Sequence, residues 1–248
     1  MTEVVTGAAP ANRLRGRRIV ITGAASGIGR CTAQLFAAEG AALTLLDRDA
    51  AALAETAQET SGLAVEADVT DEASVEFAVQ QGTSAMGGID GVVNAAGIMI
   101  RASVMEADAV AFRRVVDVNL TGTYIVVRCC LPWLTQAPIA TIVNLASGQG
   151  LFPNVPNRTA YAASKGDVVN LTRALAAELA PHIRVNSVCP GLVDTPMSAS
   201  VQRDVSAYAL KRIADPIEIA RAILFLTSSE ASYVTGAALA VDGGRTFH

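Results

Sequence analysis

Tyr161 and Lys165 stand four residues apart in YAASK, a spacing that puts both side chains on one face of a helix, one turn apart. A free phenol has a pKa of about 10, too high for a base at neutral pH, and an ammonium one turn away favours the phenolate. Such a pair suits proton transfer to and from an alcohol oxygen. Alone, it reads more readily as the solvent face of an amphipathic helix. Ser147 strengthens the chemical reading, because it closes a strand and its hydroxyl can hydrogen-bond a substrate oxygen where charge develops.

A second chemistry lies near the start of the chain, in Thr22-Gly23-Ala24-Ala25-Ser26-Gly27-Ile28-Gly29. Glycines at 23, 27 and 29 fall between a strand and a helix, where they let backbone amides and the positive helix end approach a pyrophosphate. Asp47 ends the next strand, 18 residues after Gly29. A carboxylate there accepts hydrogen bonds from an adenosine ribose and repels a 2′-phosphate, which favours NAD over NADP. It can equally cap the helix that follows. Arg48 works against the preference, since a guanidinium beside Asp47 can reach that phosphate. Asp68 with Val69, and Asn94 with Ala95, Ala96 and Gly97, follow later strands and are expected around the adenine edge.

These residues need elements to hold them, and the chain alternates short apolar strands with longer helical stretches. Strands are predicted at 18–22, 42–46, 63–65, 89–93, 141–145, 184–188 and 238–241. Helices are predicted at about 28–39, 50–60, 71–85, 107–134, 159–180 and 217–226. Alternation of this kind implies right-handed crossovers and an α/β, doubly wound parallel sheet of about seven strands, with ligands beyond the strands' carboxyl ends. Residues 1–12 are expected to be a flexible tail, 13–248 a single domain, and about 192–213 a substrate lid.

TGAASGIG at 22–29, NAAG at 94–97, Asn119 in DVNLTG, Ser147 in IVNLAS, YAASK at 161–165 and PGLVDT at 190–195 occur in this order. Together they resemble the short-chain dehydrogenase/reductase family in its single-domain Rossmann-fold form, from Arg13 to the VTGAALAVDGG ending at 244. The resemblance implies hydride transfer between a nicotinamide cofactor and an alcohol or ketone, with Tyr161 as general acid/base and Ser147 holding the substrate oxygen. It implies that Lys165 binds the nicotinamide ribose, and that Asn119 bends its helix and holds a water relaying protons to Lys165. Pro190 and Gly191 would face the nicotinamide, Val193 would add backbone contacts, and Thr195 would bind the carboxamide or diphosphate. The segment from Ser147 to Tyr161 is slightly longer than the family's usual one, so its loop has a shape of its own.

Substrate contacts are expected from the loops after Gly97, Ser147 and Gly191: Gln149, Asn154 and Leu192 beside Ser147 and Tyr161, with Ile98, Met99, Phe152 and Met197 around them. This set holds two amides and no Arg or Lys clamp, so a neutral, moderately hydrophobic secondary alcohol or ketone is expected. An NADPH-dependent 3-oxoacyl-acyl-carrier-protein reductase is the alternative, and a non-catalytic NAD-sensing regulator the alternative from another class. Asp47 and the acidic balance argue against the first. The intact Ser147, Tyr161 and Lys165 argue against the second.

Composition bounds the rest. The 248 residues are 51% hydrophobic, 17% charged and 4% aromatic with a formal charge of −4, which excludes a largely disordered chain and argues against nucleic-acid binding. Four cysteines without C-x-x-C spacing and two histidines offer no metal site and fit buried thiols in a reducing compartment. The basic run Arg13, Arg15, Arg17, Arg18 is expected to be a solvated edge. No apolar segment at the start suggests a secretory signal, and Arg128 and Pro132 interrupt the best candidate for a membrane span. A cytoplasmic enzyme is expected, a homotetramer or homodimer paired through the helices near 107–134 and 159–180, with no membrane partner.

Overall fold

The computed structural model describes residues 12–199 and 204–246. Most of the tail expected at 1–12, and four residues of the expected lid, lie outside that range. Seven strands form one parallel sheet: β1 (Arg18–Thr22), β2 (Ala42–Asp47), β3 (Leu63–Glu66), β4 (Gly91–Asn94), β5 (Ala140–Leu145), β6 (Ile183–Pro190) and β7 (Ala238–Val241), in the order β3-β2-β1-β4-β5-β6-β7. The central strands are runs of Val, Ile and Leu because helices cover both faces, and the pleat alternates side chains between those faces. Val20, Val92, Ile142 and Val185 enter one core with Val75, Val126, Leu134 and Leu175. Ile19, Ile21, Val93 and Val143 enter the other with Phe36, Ile219, Ile223 and Leu224.

The helices are α1 (Gly27–Ala38), α2 (Ala50–Thr60), α3 (Glu72–Met86), α4 (Ala109–Val116), α5 (Gly122–Leu134), α6 (Gly148–Leu151), α7 (Thr159–Leu179) and α8 (Pro216–Thr227). Their starts are written locally. Asp49, Asp71 and Asp108 accept from the backbone amides of Ala52, Ala73 and Ala111 at 3.1, 3.1 and 2.7 Å. Asp215 and Glu218 form a capping box at α8, with Pro216 in its first turn.

Three expectations are corrected. The helix expected over 107–134 contains a π-helical turn, Asp117–Thr121, between α4 and α5. Counted through that turn, Ala109–Leu134 is long and apolar enough to cross a membrane by length and composition, so Arg128 and Pro132 do not interrupt it. Its Val126, Val127, Cys130 and Leu134 are instead buried in the core. Nor is the basic run merely solvated: Arg17 and Arg18 pair with buried Asp90 at 2.5 and 3.0 Å, at the end of the sheet opposite the glycine-rich turn, and Arg13 pairs with Glu39.

Candidate active site

Between β1 and β4 the strand order reverses, and there the loops at the carboxyl ends part to leave a crevice. The glycine-rich turn forms one wall. Gly23 has φ +66°, and a Cβ on it would come within 2.8 Å of the Ala95–Ala96 backbone; a Cβ on Gly29 would lie 2.0 Å from the Gly23 carbonyl oxygen. Thr22 Oγ1 accepts from the amides of Ala95 and Ala96, both at 3.2 Å, which ties this turn to the loop after β4. Asp47 fixes the turn from the side, its Oδ2 accepting from Ala25 N at 3.1 Å and its Oδ1 from Asp49 N at 3.1 Å. The carboxylate thus serves the backbone and still borders the crevice, but it does not cap α2; Asp49 does.

A cavity of about 970 Å³ runs from this turn across the sheet edge. Of the residues expected around a dinucleotide, Gly23, Ser26, Gly27, Ile28 and Gly29 line it. So do Asp47, Arg48, Asp68 and Val69, then Ala95, Ala96 and Gly97, and finally Pro190, Gly191, Val193 and Thr195. Thr70 hydrogen bonds hold the Asp68 carboxyl below its ordinary range. Asn94 is the exception. It is 2% exposed and its Nδ2 donates to Asn144 Oδ1 at 2.9 Å, so its side chain stitches β4 to β5 and does not reach an adenine. Asn144 passes the chain on to Thr172 Oγ1 at 3.0 Å.

The residues with proton chemistry gather at the other end of the cavity, where Ser147, Tyr161 and Lys165 line it together. Ser147 leaves β5 in extended conformation and caps α6, accepting from Gln149 N at 3.1 Å. Lys165 is 4% exposed, and its Nζ donates to the Leu145 carbonyl at 2.6 Å and lies 6.0 Å from the Tyr161 ring. Burial pulls its ammonium down to about 8. Burial pushes the Tyr161 phenol up, while the neighbouring Ser147 hydroxyl and the Arg158 guanidinium pull it back down. The Lys165 ammonium is turned to the Leu145 carbonyl, and the Arg158 guanidinium is a second cation near the phenol that the four-residue spacing does not announce.

Asn119 is fully buried inside the π turn, off the cavity. Its Oδ1 accepts from Ile98 N at 2.8 Å, and its Nδ2 donates to Ile98 O and Ser164 Oγ, both at 3.0 Å. The extra residue of a π turn is what rotates this amide out of the helix ladder and toward the loop after β4. A Cβ on Gly97 would lie 3.2 Å from Asn119 Oδ1 and 3.4 Å from Lys165 Nζ, so the loop, the amide and the ammonium are mutually fitted.

Of the expected substrate contacts, Gln149 and Leu192 line the cavity with Ile98, Met99 and Met197. Asn154 does not; it is exposed outside the wall and hydrogen-bonds Arg245. Arg158, Tyr208 and Arg245 line the cavity and were not anticipated. Arg158 sits three residues before Tyr161, and Arg245 follows the Gly243-Gly244 pair at the end of β7, so the strand-end rule alone could have flagged Arg245.

The donor set fits a dinucleotide: a glycine cradle that a single Cβ would fill, a helix N-terminus, a carboxylate at the second strand and an ammonium beside the phenol. A family model described as enoyl-(acyl carrier protein) reductase matches residues 23–246. The 2-(S)-hydroxypropyl-CoM dehydrogenase 3 of Xanthobacter autotrophicus is 41% identical over 95% of this chain and 98% of its own. The chain belongs to the short-chain dehydrogenase/reductase family. As a member it is an oxidoreductase acting on CH–OH groups with NAD(H), in the fold class expected from its sequence. A further relative of this short-chain dehydrogenase/reductase is the trans-4-hydroxycyclohexanecarboxylate dehydrogenase of Sinomonas cyclohexanicum, 41% identical over 95% of both chains. Among solved structures, a 3-ketoacyl-(acyl-carrier-protein) reductase from Brucella melitensis complexed with NADH is similar, at TM-score 0.91 and 38% identity over 94% of this chain and all of that one.

Proposed function

We propose that this enzyme is an NAD-preferring dehydrogenase of a compact secondary alcohol, with Tyr161 as the general acid/base. The convergence of Ser147, Tyr161 and Lys165 on one cavity with the glycine-rich turn carries this reading. Bound NAD supplies the hydride acceptor. Ser147 would hydrogen-bond the substrate oxygen, and Tyr161 would take its proton as the C–H bond breaks. Lys165 would hold the nicotinamide ribose, and Asn119 would act as a positioning residue that fixes the loop carrying Gly97 and Ile98. Asp47 supports NAD over NADP because its carboxylate borders the site where a 2′-phosphate would lie.

Residues 192–213 would act as the lid over the substrate, their Tyr208 buried against the cavity. The exposed apolar Tyr124 on α5 and Phe112 on α4 support assembly as a homotetramer or homodimer, and the redox state suited to four free cysteines supports a cytoplasmic enzyme. A 3-oxoacyl-acyl-carrier-protein reductase remains the second reading, favoured by Arg48 and Arg114, which lie close enough to act on Asp68 and could hold a 2′-phosphate.

Replacing Tyr161 by Phe tests the reading. Loss of the general base is expected to lower turnover by about 100- to 10,000-fold. Titration of NADH fluorescence is expected to show cofactor binding within a few-fold of the parent. Turnover at the parental rate would sink the assignment of Tyr161.

A further inference from the structure

The end of the cavity that holds Tyr161 also holds two guanidinium groups, Arg245 and Arg158, that have no anionic partner among the described residues. Arg245 is 5% exposed, a depth at which arginine is rarely found unpaired. The turn after β7 puts it there. Asp242 Oδ1 accepts from Gly244 N at 3.0 Å and its Oδ2 from Thr246 N and Oγ1 at 2.9 and 2.6 Å, while Gly243 and Gly244 take φ of +63° and +75°. A side chain at either glycine would strain this turn.

The Arg245 head group meets neutral groups among the described residues. It lies over the Tyr208 ring, 5.7 Å from its centroid. With the Gln149 amide oriented to satisfy both its ends, Oε1 accepts from Arg245 Nη1 and Nη2 at 3.0 and 3.1 Å. Nη2 also donates to Asn154 Oδ1. Arg158, half-buried just before α7, makes no hydrogen bond or ion pair among the described residues, and it faces Arg101 and Arg245 as like charges. Two converging, partly desolvated cations carry an electrostatic penalty that an anion between them offsets. A structural strap joining the loop after β5 to the chain end would explain Arg245 but not the unpartnered Arg158. The dinucleotide phosphates do not explain the pair either, because they belong beside Gly23–Gly29 while Arg245 is held by Gln149 and Tyr208.

We propose that the substrate is an anionic secondary alcohol, a hydroxy acid whose carboxylate or sulfonate docks on Arg245 and Arg158 while its hydroxyl meets Tyr161 and Ser147. The planar guanidinium fork matches either oxyanion in two-point contact. The proposal rests on the dehydrogenase reading above and gives that reading a substrate class. It departs from the neutral molecule that the loop residues alone suggest. The anion takes no part in the bond changes: hydride goes to NAD, the hydroxyl proton to Tyr161, and the product is the keto acid with NADH.

The test compares initial NAD reduction on three pairs. These are 3-hydroxybutyrate, trans-4-hydroxycyclohexanecarboxylate and 3-hydroxybutane-1-sulfonate, each against its neutral methyl ester or methyl sulfone. At least one acid is expected to exceed its neutral partner by about 100-fold in kcat/KM, chiefly through KM. Arg245→Gln and Arg158→Gln are each expected to cut that ratio about tenfold or more, with NADH binding reporting that the variants are folded. Arg158→Gln breaks no internal bond and carries the test if Arg245→Gln fails to fold. Equal or better turnover of the neutral partner in all three pairs would overturn the proposal and leave the dehydrogenase standing. So would an acid preference that survives in Arg158→Gln. Silence on all six compounds with NADH still bound would overturn both.

Discussion

Lys165 shows how one residue's burial becomes a property of the whole enzyme. Its ammonium is pulled to about 8 by burial, against 10.5 for an exposed lysine, so between these values the unfolded chain binds more protons than the folded one. Stability contributed through this group therefore rises as pH goes from about 8 to 10.5, the opposite of a lysine that gains a partner on folding. Replacing Lys165 by Met removes the penalty, so the variant is expected to gain most over the parent at pH 7. That advantage should shrink by up to roughly 3 kcal/mol by pH 10.5. Urea denaturation of both proteins at the two pH values measures the difference, and an advantage independent of pH would refute the burial account. The same residue explains a limit of reading chemistry from spacing. The four-residue step to Tyr161 was legible, but the Leu145 carbonyl that claims the ammonium lies 20 residues away, and no local pattern announces it.

Among elements, those whose signals are local were read well and those made by distant contacts were not. β1 holds the β-branched run Ile19–Thr22 and β5 the run Thr141–Val143, and α2, α3 and α8 start at aspartates, so these elements stand in the sequence. The π turn does not, because its apolar pattern continues that of α4 and α5, and only the three bonds of the Asn119 amide reveal its purpose. α6 was missed because GQGL carries no periodicity; it forms because Ser147 caps it. Replacing Asn119 by Leu leaves the Ile98 amide and carbonyl without their partner, while the Ser164 hydroxyl keeps its bond to the Tyr161 carbonyl. The expected cost is about 2–4 kcal/mol of unfolding free energy, read from the urea midpoint. A loss under 1 kcal/mol would mean that the loop re-pairs elsewhere. For the glycine-rich turn, Gly29→Ala drives a methyl group into the Gly23 carbonyl, and NADH affinity is expected to fall at least tenfold in a fluorescence titration.

For the molecule as a whole, cofactor binding is a stability term. A ligand at 100 times its Kd adds about 2.7 kcal/mol to the folded state, which for a chain of 248 residues raises Tm by roughly 5–10 °C. On the proposed NAD preference, NADH is expected to give that shift and NADPH at the same concentration a clearly smaller one, because a 2′-phosphate beside the Asp47 carboxylate would be repelled. Equal shifts would assign the preference to Arg48. The strand order was legible as a class because alternation dictates it, whereas the meeting of Arg158 with Arg245 was not, because it joins the start of α7 to the turn after β7. That meeting has a consequence for how the enzyme comes into being. The dinucleotide turn follows the first strand, Pro190–Thr195 complete the cavity wall late, and the buried arginine follows the last strand, so on the proposed reading a growing chain finishes its cofactor cradle before its substrate anchor. During refolding from denaturant, cofactor fluorescence should therefore return no later than activity, and selectivity among alcohols should be the last property to be restored.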